Sequence, residues 1–152
     1  MHIVIKRTDS SKVDFIDLIK LLDADLAFRD GAENAYYAQF NKIDTLKNCV
    51  VAYSQGISIG CGAFKPFDAG SSVEVKRMYV LENFRGKGVA GLILTELEKW
   101  AIELGYSQSV LETGKRQPEA ISLYTKHGYQ VTENYGQYQG VANSVCFKKH
   151  LH

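Results

Sequence analysis

The sequence predicts a mixed α/β fold, with a largely antiparallel central sheet flanked by helices. Three observations carry this prediction. β-rich runs at 49–53 and 57–64 are separated by a turn sequence and suit an antiparallel hairpin. Apolar residues from Val89 to Leu104 keep the helical period. From Val73 onward, strand-like and helical runs then alternate to the end of the chain. With 152 residues, 45% hydrophobic and 23% charged, the chain matches one domain over 1–152, large enough to build a core without staples.

Taken in order, Ile3 to Lys6 reads as a strand. Phe15, Leu18, Ile19 and Leu22 recur at i, i+3, i+4 and i+7, the stripe of an amphipathic helix beginning near Asp14, with Ser11 as its cap. A weaker helical piece runs from Asn34 to Asn41 and carries Tyr36, Tyr37 and Phe40. Ser54-Gln55-Gly56 turns the hairpin, and Lys65 to Ser72, with Pro66 and Gly70, forms a loop. Val73 to Val80 alternates as a strand, with Val73, Val75, Arg77 and Tyr79 on one face and Glu74, Lys76, Met78 and Val80 on the other. Polar groups on both faces mark a strand that borders a site.

After a turn at Asn83 to Lys87, Val89, Ile93, Leu97, Trp100, Ala101 and Leu104 define the clearest helix, ended by Gly105. Ser107 to Glu112 is a strand. Pro118 fits the first turn of a helix running through Lys126, with Gly128 past its end. Tyr129 to Glu133 and Ser144 to Lys148 are the last strands.

Composition excludes several functions. Eighteen Lys and Arg against seventeen Asp and Glu, with no block of like charge, argue against nucleic acid or an anionic membrane as partner. Cys49, Cys61 and Cys146 sit in apolar, strand-like settings and read as reduced core residues, none in a context that would make it a nucleophile. No zinc-like spacing of Cys and His occurs, so no metal is expected. The start of the chain, with three apolar residues in Ile3-Val4-Ile5, is too short for a signal segment, and no long apolar run follows, which points to the cytoplasm.

The segment Gly86-Lys87-Gly88-Val89-Ala90-Gly91 satisfies G-x-G-x-x-G between a strand and a helix, with Glu112 about 20 residues on, as in a dinucleotide-binding fingerprint. Architecture opposes that reading: five residues separate Val80 from Gly86 and only 61 follow Gly91. A P-loop is excluded because no Gly-Lys-Ser or Gly-Lys-Thr occurs. The shared physics remains. Amides at a glycine-rich helix start carry the positive end of the dipole and bind phosphate, and Arg85 adds a fork that fits phosphate oxygens.

Arg85-Gly86-Lys87-Gly88-Val89-Ala90, following Glu74 to Val80, resembles the Arg/Gln-x-x-Gly-x-Gly/Ala motif of the GNAT superfamily, the acyl-coenzyme A dependent N-acyltransferases. Leu123-Tyr124-Thr125-Lys126-His127-Gly128-Tyr129 is similar to the family's Leu-Tyr-x-x-x-Gly-Phe/Tyr segment, and the element order matches along nearly the whole chain. The resemblance implies a GNAT-like acyl-CoA N-acyltransferase fold and acetyl-CoA as cosubstrate. It places the coenzyme diphosphate on the amides of Arg85, Gly86, Lys87, Gly88, Val89 and Ala90. The pantetheine arm would pair with the backbone of Met78, Tyr79 and Val80, where the strand at 73–80 parts from the strand at 107–112. Gln117-Pro118 stands where the family often has an Asn before the following helix.

Attack on a thioester needs a neutral amine, an oxyanion donor and a proton for the departing thiolate. Glu74 and Glu112 are the carboxylates best placed to take the amine proton, directly or through water. Tyr124 resembles the family's thiolate-protonating tyrosine. An amide near Met78 or Tyr79 would serve the oxyanion if the strand is bulged there. For the acceptor, expected to be a small amine, Asp23 and Asp25 are candidates to hold a cation and Arg29 to hold a carboxylate, with Tyr36 and Tyr138 as lining. His127 reads as a cation at a helix C-terminus. A homodimer is compatible with this reading. Two other readings stand beside it, a non-catalytic acyl-CoA-binding module and a dinucleotide oxidoreductase.

Overall fold

The computed structural model describes residues 2–30, 45–68 and 70–152. The expected helix at Asn34 to Asn41, with Tyr36, Tyr37 and Phe40, lies outside the described residues, as does the side chain of Arg29. The elements are β1 (Ile3–Thr8), α1 (Val13–Asp30), β2 (Asn48–Ser54), β3 (Ile57–Pro66), β4 (Ser72–Val80), α2 (Val89–Glu103), β5 (Gln108–Gly114), α3 (Pro118–Lys126), β6 (Gln130–Thr132) and β7 (Ser144–His150). Among the described residues, seven strands form one sheet in the order β1-β2-β3-β4-β5-β7-β6. Every neighbouring pair is antiparallel except β4 and β5, so the predicted mixed, largely antiparallel sheet with flanking helices is the one observed.

Helix α1 buries the stripe Phe15, Leu18, Ile19 and Leu22 against Cys49, Val51, Cys61 and Ala63 on one face of the sheet. Its start differs from expectation. The Ser11 amide and hydroxyl both donate to Asp9 Oδ1, and the helix opens at Val13 with the Ile16 amide on the Lys12 carbonyl. Ser11 therefore closes a local Asx-type turn rather than capping α1. The hairpin of β2 and β3 pairs Ser54 with Ile57, and Gln55 and Gly56 both take positive φ, 52° and 79°, the geometry of a type I′ turn. β3 extends through Pro66 and β4 begins at Ser72, so the 65–72 loop is shorter than its composition suggests.

Helix α2 covers the other face. Ile93, Leu94, Leu97 and Ala101 pack on Val50, Ala52, Ile59, Phe64, Val73 and Val75. Close approach is possible because β3 presents Gly60 and Gly62: a Cβ on Gly60 would stand 2.9 Å from Ile93 Cδ1 and one on Gly62 2.9 Å from Ile93 Cγ2. All three cysteines are buried and unpaired, as their apolar settings predict.

The strand β4 departs most from its sequence pattern. Its register with β3 shifts between Cys61 and Ala63, and Arg77 sits at φ 61°, a β-bulge with a non-glycine residue in the left-handed region. Alternation reverses there. Val73 and Val75 face α2, but beyond the bulge it is Met78 and Val80 that join the α2-side core, while Tyr79 packs with the α1-side cluster. The two-face assignment from simple alternation is thus corrected: Glu74 and Met78 lie on opposite faces.

Candidate active site

Strands β4 and β5 pair in parallel for three positions only, Ser72 with Gln108, Val73 with Ser109 and Glu74 with Val110. Beyond them the strands part, and the gap opens into a cleft of about 780 Å³. Its walls come from Glu74 to Val80 of β4, Glu112 to Gly114 of β5, the start of α2, the inner side of α3, Leu22, Asp25 and Leu26 of α1, and Tyr138.

One end is the turn before α2. Gly86 and Gly88 take φ 74° and 82°, which side chains with a Cβ adopt only with strain. Gly88 is the N-cap of α2 and no side chain caps the helix. The first intrahelical bond runs from the Leu92 amide to the Gly88 carbonyl at 3.1 Å, so the amides of Val89, Ala90 and Gly91 lie ahead of the helix's own hydrogen bonding. Arg85 stabilises the turn itself, its Nε donating to the Val80 carbonyl at 2.8 Å with its guanidinium 5.5 Å from the Tyr79 ring. Gly86, Gly88, Val89 and Ala90 line the cleft with Arg85; Lys87 is exposed beside Phe84.

The middle of the cleft holds the ionisable groups. Tyr124 of α3 is buried, 6% exposed, and burial, reinforced by the Glu112 charge, raises its pKa and keeps its hydroxyl protonated. Glu74 is 3% exposed and accepts a hydrogen bond from the Tyr135 hydroxyl at 2.7 Å. Glu112 accepts one from the Ser144 hydroxyl at 2.7 Å. Lys76 Nζ is 3.9 Å from Glu74 Oε1; desolvation lowers its pKa while the Glu74 charge opposes that shift. Tyr138 is held protonated by burial and by the Glu112 and Glu74 charges. Among the described residues, no group of three or more His, Cys, Asp or Glu is placed to hold a metal ion, and no helix is long and apolar enough to cross a membrane.

A parted pair of parallel strands, an uncapped glycine-rich helix start and a buried tyrosine on the facing helix coincide with a family model: residues 15–129 match that of the acetyltransferase (GNAT) family. The chain belongs to the GNAT family. A solved structure of a putative acyl-CoA N-acyltransferase from Klebsiella pneumoniae superposes with a TM-score of 0.82 at 30% identity, covering 99% of this chain and 98% of that one. An IAA acetyltransferase of Azospirillum brasilense is 35% identical over 102 residues, 67% of each chain. An uncharacterized N-acetyltransferase of Schizosaccharomyces pombe is 36% identical over 80 residues, 53% of this chain and 49% of that protein. The chain thus spans about half to two thirds of the length of these two curated relatives.

Within this GNAT fold, Tyr124, Glu74, Glu112, Asp25, Tyr138, Met78, Tyr79 and Val80 all reach the cleft wall. Asp23 is not among the lining residues; its carboxylate accepts from Arg77 Nη2 at 2.7 Å instead. The Arg29 side chain and Tyr36 lie outside the described residues. His127 does more than complete α3: it lines the cleft and stands where a Cβ on Gly91 would meet its Nε2 at 2.9 Å. Arg77 escapes sequence reasoning, which places it only as one residue of an alternating strand. The sequence offers the polar, aromatic turn Asn134 to Tyr138 as a further candidate lining, and the structure bonds its Tyr135 to Glu74.

Proposed function

We propose that this chain is an N-acetyltransferase that moves the acetyl group of acetyl-CoA to a primary amine of a small molecule by direct attack in a ternary complex. The observation that carries this reading is the parting of β4 from β5 after Glu74 and Val110, with an uncapped helix start at one end and Tyr124 on the facing wall. The amides of Val89 to Gly91 and the turn at Arg85 to Gly88 offer donors to the coenzyme diphosphate. The edge of β4 from Met78 to Val80 offers backbone groups to its pantetheine arm.

Chemistry then follows from the groups in the cleft. The amine reaches the thioester carbonyl after losing its proton to Glu74 or Glu112, directly or through water. Its nitrogen forms the new C–N bond and sheds the surplus proton it then carries to water, while the carbonyl oxygen takes negative charge and an amide at the bulge around Met78 is suited to donate to it. When the C–S bond breaks, the thiolate takes the proton of the Tyr124 hydroxyl, whose raised pKa keeps that proton in place until the thiolate appears. No acyl-cysteine step is needed, and burial raises the pKa of all three cysteines, the opposite of an activated nucleophile.

The test is a melting scan with acetyl-CoA and with NAD, followed by a coenzyme A release assay over small amines. Stabilisation by acetyl-CoA with release of coenzyme A supports the reading. Stabilisation by acetyl-CoA without release on any amine would make the chain a binding module, and stabilisation by NAD alone would make it a dinucleotide-binding protein.

A further inference from the structure

Arg77 is kept at two costs to the fold. Its backbone sits at φ 61°, where a residue with a Cβ is strained and a glycine is not. Its side chain is 2% exposed, and among the described residues Nε and Nη1 are buried without a hydrogen-bond partner. The single bond from Nη2 to Asp23 at 2.7 Å offsets only part of the desolvation of that charge. A glycine could adopt the same bulge with neither cost. Stability therefore does not account for an arginine here, and strain that the surroundings maintain beside a cleft points to function.

The peptide between Arg77 and Met78 shows what is being held. Its carbonyl, that of Arg77, accepts from the buried Cys61 thiol of β3 at 3.5 Å. The bond is trans, as all peptide bonds described here are, so the Met78 N–H at the other end of the same plane points the opposite way. It faces off β3, toward the side from which β5 has parted. Met78 itself fills the space that Gly62 leaves, where a Cβ would stand 2.5 Å from its Sδ. A thiol is a weak donor, and the stronger anchor of this peptide is the guanidinium, which ties the bulge to Asp23 on α1.

Resting on the acetyltransferase reading above, we propose that Arg77 is a positioning residue: anchored on Asp23, it holds the 77–78 peptide so that the Met78 amide is aimed at the acetyl carbonyl of the bound donor. It acts through the backbone and touches neither substrate. Without the anchor, the peptide is free to rotate out of a strained conformation, and a donor that must be in place before charge develops on the oxygen loses its aim. The cost of keeping a charged, left-handed residue is then the cost of a preorganised amide.

The experiment reads the carbonyl directly and needs no acceptor. Acetyl-CoA labelled with carbon-13 at the acetyl carbonyl is bound to the wild-type protein and to Arg77→Gln, Arg77→Lys and Asp23→Ala, and its carbonyl resonance is compared with that of free acetyl-CoA. A hydrogen bond to the thioester oxygen moves this resonance downfield. The wild type should show the displacement, Arg77→Gln should lose about half of it or more, and Arg77→Lys should keep a larger part. A melting shift with acetyl-CoA shows that each variant is folded and binds. Asp23→Ala alters a side chain that is 55% exposed and should lose displacement too, which keeps the test decisive if Arg77→Gln does not fold. A wild-type resonance at the free position, or a displacement unmoved in folded Arg77→Gln or in Asp23→Ala, would overturn the proposal. Loss of acetyl-CoA binding altogether in a folded Asp23→Ala would also overturn it, since the pair would then build the coenzyme site rather than aim one amide. No binding of acetyl-CoA by the wild type would instead remove the acetyltransferase reading itself.

Discussion

The Tyr135 hydroxyl donates to Glu74 at 2.7 Å, joining the connection between β6 and β7 to the floor of the cleft across 61 positions of sequence. Asn134 stiffens that connection, its side-chain amide donating to the carbonyls of Tyr138, Val141 and Ser144, and Phe67 meets the Tyr135 ring edge-on at 4.7 Å. The tyrosine therefore sets where the Glu74 carboxylate points and how well its charge is solvated. Burial and the Glu74 charge keep Tyr135 protonated, raising its pKa.

Tyr135→Phe removes that donor from a buried carboxylate. Hydrogen bonds to charged groups contribute about 1.5–3 kcal/mol, so the melting temperature should fall. If Glu74 takes the amine proton, kcat/KM should fall in Tyr135→Phe, because the hydroxyl that orients the carboxylate is gone. An unaltered kcat/KM would favour Glu112 as the base, to be checked with Glu112→Gln.

Tyr124→Phe deletes one hydroxyl from a buried site and leaves the ring packing against Tyr129 and Phe147 in place. We expect kcat to fall by about 100-fold or more while acetyl-CoA affinity changes little, since the proton is needed only as the thiolate leaves. Steady-state kinetics and a calorimetric titration with acetyl-CoA check the two halves. An unaltered kcat would return Tyr124 to a packing role.

Gly88→Val tests the helix start. At φ 82° a β-branched residue is strained by roughly 1–2 kcal/mol, and the turn must shift away from the conformation that presents the first amides of α2. Acetyl-CoA at 100 times its dissociation constant should stabilise the wild type by about 2.7 kcal/mol. The variant should lose most of that shift in a melting scan; retention of the full shift would place the coenzyme elsewhere.

Alkaline stability follows from the buried thiols. Burial moves the Cys146 pKa from its ordinary 9.0 to about 11 and that of Cys49 to about 12. Above pH 9 the unfolded chain releases these protons while the folded one keeps them, so the folded state binds more protons and stability falls as pH rises. The contribution is fully present below pH 9 and is lost between about pH 9 and 11–12. The melting temperature should be flat up to pH 9 and decline beyond it, and Cys146→Ala should make that decline shallower.

By itself the sequence determined the local features: the apolar stripes of α1 and α2, the Gln55-Gly56 hairpin turn, the glycine turn before α2, and the Leu-Tyr-x-x-x-Gly segment that places Tyr124. Periodicity and turn chemistry are properties of a few neighbouring residues, and they survive folding unchanged. Tertiary structure decided what depends on register. The bulge at Arg77 arises where Gly62 of β3 faces β4 with no side chain and Met78 and Ile93 fill the space, and this one slip turned Met78 away from Glu74 and sent Arg77 to Asp23. The partners of Glu74, Glu112 and Arg77 lie 61, 32 and 54 residues away. No local pattern encodes such pairs, because each is fixed only when the sheet has closed and α1 has packed against it.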